Sequence, residues 1–157
     1  MFITATGSGK IKREMAESIA YFSLDLLAPR LLNKLVVDID LINRLGEKES
    51  IAGDCTWEDS SYRPREFTIR IDSSQPLQEM LETVAHEIVH VKQYARGELK
   101  DSCQTHIACK WKGKLIQLNK MNYYDHPWEI EAHGRERGLF IRWFEQSQWK
   151  NCNWASY

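Results

Sequence analysis

This 157-residue chain has no long apolar run, no block of like charge, no paired-cysteine motif and no internal repeat. Its apolar runs extend only a few residues, far short of the roughly 20 that cross a bilayer, so no membrane span is expected. Lys and Arg number 21 against 22 Asp and Glu, a formal charge of -1, which gives no support for nucleic-acid binding. Cys55, Cys103, Cys109 and Cys152 show no CxxC spacing and read as small apolar side chains kept as thiols. The opening residues, MFITATGSGKIKRE, lack a basic region followed by an apolar stretch and a cleavage site, so the expected location is cytoplasmic. With no low-complexity segment or linker, residues 1–157 read as a single domain, and 43% hydrophobic residues suffice for its core.

Periodicity supplies the elements. Ile11, Met15, Ile19, Phe22 and Leu26 recur at helical spacing and predict an amphipathic helix over about Lys10 to Ala28, stopped at Pro29. Three alternating segments predict strands: Leu35 to Leu41, Ile51 to Trp57 and Phe67 to Asp72. Ser73-Ser74-Gln75-Pro76 is a helix-entry signal, and Leu77, Leu81, Val84, Ile88, Val91 and Ala95 form the stripe of a helix ending near Gly97. Between Glu98 and Asp125 only a short hairpin around Trp111-Lys112-Gly113 is legible. Pro127 opens a last helix to about Gln146, with Ile130, Leu139, Ile141 and Phe144 as apolar positions. Gly7-Ser8-Gly9-Lys10 is not a phosphate loop, because the first glycine is missing and Ile11 stands where Ser or Thr is required.

The second long helix contains His86-Glu87-Ile88-Val89-His90, an HExxH motif. Residues i and i+4 sit one turn apart on one face, so both imidazoles can reach a single zinc ion. At about 100° per residue, His86 lies some 200° from Val84, which turns the histidines away from the stripe that packs on the sheet. Glu87 stands beside the ion, where a general base for its water is needed.

A catalytic zinc takes three protein ligands and leaves a position open. Pro127-Trp128-Glu129-Ile130-Glu131-Ala132-His133 is the best source of the third. Glu129 and Glu131 lie about 200° apart on a helix, so only one can face the ion. Glu129 is favoured because it shares a face with His133, a candidate to hydrogen-bond and orient a ligand histidine. Glu131 and His106 are the alternatives. Tyr123 and Tyr124 are read mainly as packing aromatics, with a phenol aimed at a developing oxyanion as the functional option. His126 reads as a surface or capping residue, and Trp149, Trp154 and Tyr157 as a tail that folds back on the core or meets a partner.

An HExxH helix preceded by a helix and three strands, with a distal E-x-E-A, resembles the small zincin metallopeptidases of gluzincin type found in phage and bacteria. The likeness covers about residues 35 to 96 and 123 to 138. In gluzincins such as thermolysin the third ligand is a glutamate, which maps onto Glu129, and its i+4 neighbour is often an aspartate supporting a zinc-bound histidine. Here that neighbour is His133. The rival within the class is the SprT-like family, whose third histidine follows at a spacing near that of His106 and whose substrates are DNA-associated proteins. Its glycine after that histidine is Ile107 here, and the E-x-E-A signal would go unused.

The resemblance implies a zincin-like α+β domain with an N-terminal helix, a small and mostly antiparallel sheet, the HExxH helix and a C-terminal helix bearing the third ligand. It implies zinc-dependent hydrolysis of a peptide or protein substrate, paired to an edge strand for which Phe67 to Ile71 is the candidate. A catalytically idle zinc- or peptide-binding module is the alternative.

Overall fold

The computed structural model describes residues 2–59, 62–101, 107–152 and 154. Strand β1 (Phe2–Gly7) leads directly into helix α1 (Lys10–Leu27), which carries the chain back so that β2 (Val36–Ile42) lies parallel to β1. A short helix α2 (Leu45–Glu49) precedes β3 (Gly53–Trp57) and β4 (Glu66–Asp72). Strand β4 inserts between β2 and β3, parallel to the first and antiparallel to the second, giving the order β1-β2-β4-β3.

The expectation of a mostly antiparallel sheet is therefore corrected: two of the three pairings in this sheet are parallel. Alternation with period two is identical for either sense, and it is the α1 crossover that sets the direction. Strand β1 was not foreseen, because Phe2, its largest side chain, points outward and is 71% exposed. The candidate edge segment Phe67 to Ile71 is interior, paired on both sides, and the edge strands are β1 and β3.

Register explains the two faces. Ile3, Val37, Phe67 and Trp57 form one inward row and Ala5, Ile39, Ile69 and Cys55 the next. The opposite face is polar: Thr6 donates to Asp40 at 2.6 Å, Thr4 donates to Asp38, and Arg70 pairs with Asp54 and Glu49. The main core thus lies on one side, where α1 and α3 (Leu77–Ala95) cover the sheet and α4 (Pro127–Gln146) packs on α3.

The predicted stripe of α3 is buried throughout. Its entry differs from the cap expected: Ser74 turns back to Asp72, donating through both its amide and its hydroxyl, and the N-cap position belongs to Pro76. Gly97, at φ +69, ends the helix as expected, in a left-handed conformation that costs other residues more. Strands β5 (Leu99–Asp101), β6 (Ala108–Trp111) and β7 (Lys114–Gln117) form a small antiparallel sheet, turned at Lys112-Gly113 where the hairpin was read.

Three apolar positions lie outside the core. Leu26 on α1 and Ile130 and Ile141 on α4 are exposed, because the buried faces are set by Met15, Ile19 and Leu24 on α1 and by Ala132, Leu139, Phe140 and Trp143 on α4. Trp143, 2% exposed, donates to Ser18 at 3.0 Å. Trp149 and Trp154 fold back against it, which places these two tail residues on the core. No helix among the described residues is long and apolar enough to cross a membrane.

Candidate metal centre

Helices α3 and α4 meet along the face of α3 opposite its sheet-packing stripe. On α4 the facing positions are Glu129, Ala132 and Glu136, three or four residues apart, and the methyl group of Ala132 lets the helices approach closely. His86, Glu87 and His90 are all buried, at 7%, 5% and 8% exposure, although each is polar. Burial of three such groups requires partners.

The donor atoms converge. His86 Nε2 lies 3.1 Å from His90 Nε2 and 3.3 Å from Glu129 Oε2, and His90 Nε2 lies 3.5 Å from Glu129 Oε1. An ion about 2.0–2.1 Å from each donor in a tetrahedral arrangement needs donor separations of about 3.3–3.4 Å. The observed triangle fits that requirement, so His86, His90 and Glu129 form a buried group that can hold a metal ion.

Each histidine is fixed through its other ring nitrogen. His86 Nδ1 lies 2.8 Å from Glu136 Oε2, and His90 Nδ1 lies 2.8 Å from Gln93 Oε1. Both contacts leave Nε2 free to face the triangle. The Gln93 amide is oriented in turn by donating to the Trp128 carbonyl and to Glu131, both at 3.0 Å. Glu131 also accepts from Lys92 at 2.8 Å, and the Lys92 ammonium, 6% exposed, reaches Glu98 at 2.7 Å.

The two-residue offset on α4 thus separates Glu129 from Glu131 as expected. Glu131 is not a ligand, and neither is it a free surface carboxylate: it anchors the support of His90. Lys92, Gln93 and Glu136 were not anticipated. Charged and amide residues on helices are ordinary, and only the spacing of Glu136, two turns after Glu129 on the same face, could have drawn attention to it. The role expected of His133 falls to Glu136. His133 packs its ring 4.5 Å from that of His86 and approaches the same Glu136 carboxylate at 3.3 Å. His106 lies outside the described residues.

Tyr123, in a short 3-10 turn before α4, donates its hydroxyl to Glu129 Oε2 at 2.7 Å. The phenol thus holds the carboxylate of the triangle, and burial together with Glu129 pushes its pKa well up, so it stays a donor. Tyr124 is 69% exposed at the mouth of the cleft. His126 occupies the N-cap position of α4, as its capping reading has it, but not the surface: it is buried and stacks on Trp128 with ring centroids 4.7 Å apart.

Electrostatics divides the carboxylates. Burial opposes ionisation of Glu129, but hydrogen bonds with His86 and His90 outweigh it and hold its pKa well below the usual range. Burial lifts the Glu87 carboxyl to about 7, against the pull of His90 and His86. The two glutamates thus differ, Glu129 being held in its charged form and Glu87 titrating near neutrality.

Two cavities lie here, of about 480 and 200 Å³; both are lined by Glu87, Tyr123 and Gly53, and Glu129 lines the smaller. Gly53 begins the edge strand β3, and a Cβ there would lie 2.9 Å from Thr83 Cγ2 and 3.0 Å from the Arg70 carbonyl. Only glycine lets α3 approach the strand this closely. The cleft is therefore bounded by a strand edge, unpaired among the described residues, on one side and the His86-Glu87-His90 face on the other. Comparison of the chain with family models, curated proteins and solved structures returns no match.

Proposed function

We infer that the protein is a zinc-dependent metallopeptidase. The observation that carries this reading is the triangle of His86, His90 and Glu129 donors, 3.1–3.5 Å on a side, with Glu87 buried beside it at a pKa of about 7. Two imidazoles and one carboxylate are a donor set suited to zinc with a position left open. Bound there, zinc would supply Lewis acidity to a substrate carbonyl and to a water molecule.

The remaining work belongs to the chain. Glu87 takes a proton from the attacking water and returns it to the departing amine, a task for which a pKa near the working pH is best. Glu136 and Gln93 hold the two rings in the tautomer that points Nε2 inward, and Tyr123 holds Glu129. A peptide laid along β3 in extended form would pair with its free edge through main-chain hydrogen bonds, which favours peptides and proteins over small amides.

Metal analysis of the purified protein and an assay on a mixed peptide library test this reading. Glu87→Gln should retain zinc and lose 10²–10⁴-fold in hydrolysis, the usual loss for a general base. Full activity in that variant, or no cleavage of any peptide by the zinc-loaded wild type, would overturn it.

A further inference from the structure

We propose a second binding site, for the diphosphate group of a phosphorylated ligand of nucleotide size, at the C-terminal end of α3. It does not depend on the peptidase reading. A cavity of about 460 Å³ there is lined by Arg30, Arg63, Arg65 and Arg96, with Pro29 and Leu31 on its rim. Such a volume is typical of small-molecule sites and exceeds what a single inorganic anion fills.

Two of the guanidiniums are held in place by the chain. Arg65 donates to the carbonyls of Ala95 at 2.7 Å and Pro64 at 2.8 Å, and Arg96 donates to the Leu27 carbonyl at 3.5 Å. Ala95 and Leu27 are the last residues of α3 and α1, so these contacts also cap two helix C-termini. Capping explains Arg65 and Arg96 but neither Arg30 nor Arg63, both exposed. Arg63 lies over the Tyr62 ring at 5.6 Å, and Arg30 has no charged or hydrogen-bonding partner among the described residues.

The charge is unbalanced. Among the described residues, Glu98 is the carboxylate paired with a guanidinium of this group, 3.0 Å from Arg96, and it is shared with the buried Lys92. Asp59 accepts from the backbone amide of Arg65. Each helix C-terminus is equivalent to roughly half a negative charge. Four guanidiniums exceed these together, in a chain whose formal charge is -1. Guanidinium forks match phosphate oxygens in pairs, and preorganised ones bind at little entropic cost.

Calorimetric titration of the protein as purified with ADP, inorganic phosphate and adenosine tests the proposal. ADP should bind, phosphate should bind more weakly and compete with it, and adenosine should not. Arg30→Ala/Arg63→Ala, two exposed positions that leave the helix caps intact, should weaken ADP at least tenfold, and Arg30→Lys/Arg63→Lys should recover part of that loss. Absence of ADP binding, equal binding of adenosine, or an unchanged affinity in the double alanine variant would overturn the site.

Discussion

His86 is gripped from both of its nitrogens by the same helix: Nδ1 lies 2.8 Å from Glu136 and Nε2 lies 3.3 Å from Glu129, two turns earlier on α4. The ring orientation is therefore a property of the α3–α4 contact rather than of α3 alone. Glu136→Ala should leave the fold intact and weaken zinc binding about 10–100-fold, the usual cost of losing such a support. Competition with a chromophoric chelator measures this directly, and an unchanged affinity would count against the role given to Glu136.

The third ligand is decided by comparing alanine variants at one neutral pH. Glu129→Ala should show the largest loss of zinc affinity. Glu131→Ala should lower stability instead, and His106→Ala should retain the metal. If the largest loss fell on His106, the SprT-like arrangement would replace the one proposed.

Removing the Glu131 charge has its own signature. Glu131→Gln leaves the buried Lys92 ammonium with Glu98 alone, and loss of one partner of a buried charged group costs about 1–3 kcal/mol. Lys92 and Gln93 hold the Glu131 pKa at about 2 against the opposing effect of burial. A depressed carboxyl pKa stabilises the fold above the unfolded value near 4.5 and ceases to do so as pH falls through about 2. Urea denaturation should therefore find the gap between wild type and Glu131→Gln closing across that interval.

Alkaline pH acts in the opposite sense on the metal-free protein. Burial alone would lower the His86 pKa, but Glu129 and Glu136 raise it to about 9. The protonated ring stabilises the fold fully below its unfolded value near 6.5, and that contribution fades as pH rises through about 9. A metal requires the neutral ring, so its affinity should climb over the same window. Melting scans of chelator-treated protein should show Tm falling between pH 6.5 and 9, with the increment on adding zinc growing. A zinc increment independent of pH would contradict it.

What the sequence disclosed was chiefly whatever repeats with a period. The stripes of α1 and α3 and the alternation of β2 and β4 follow from apolar spacing, the helix boundaries from Pro29, Pro76, Gly97 and Pro127, and the HExxH face from helical angle. Strand sense and order do not, since Val37, Ile39 and Leu41 alternate the same way beside either neighbour. The i and i+2 spacing leaves either Glu129 or Glu131, and the choice of Glu129 rests on its shared face with His133, whose supporting role falls to Glu136. Gln93 and Glu136 escaped notice because their meaning lies in the packing of α3 on α4. Ile130 and Ile141 misled for the same reason, as hydrophobicity alone does not say which side of α4 finds a helix to cover it.

The ligand triangle joins residues far apart in sequence, His90 on one helix and Glu129 on another, with the small β5–β6–β7 sheet between them. An ion held there acts as a removable cross-link that closes this stretch into a ring. The entropy cost of closing a ring grows slowly with its length, so such an ion would stabilise the fold by restricting the unfolded chain over this whole segment. Metal-loaded and chelator-treated protein would then differ in how readily they open between α3 and α4.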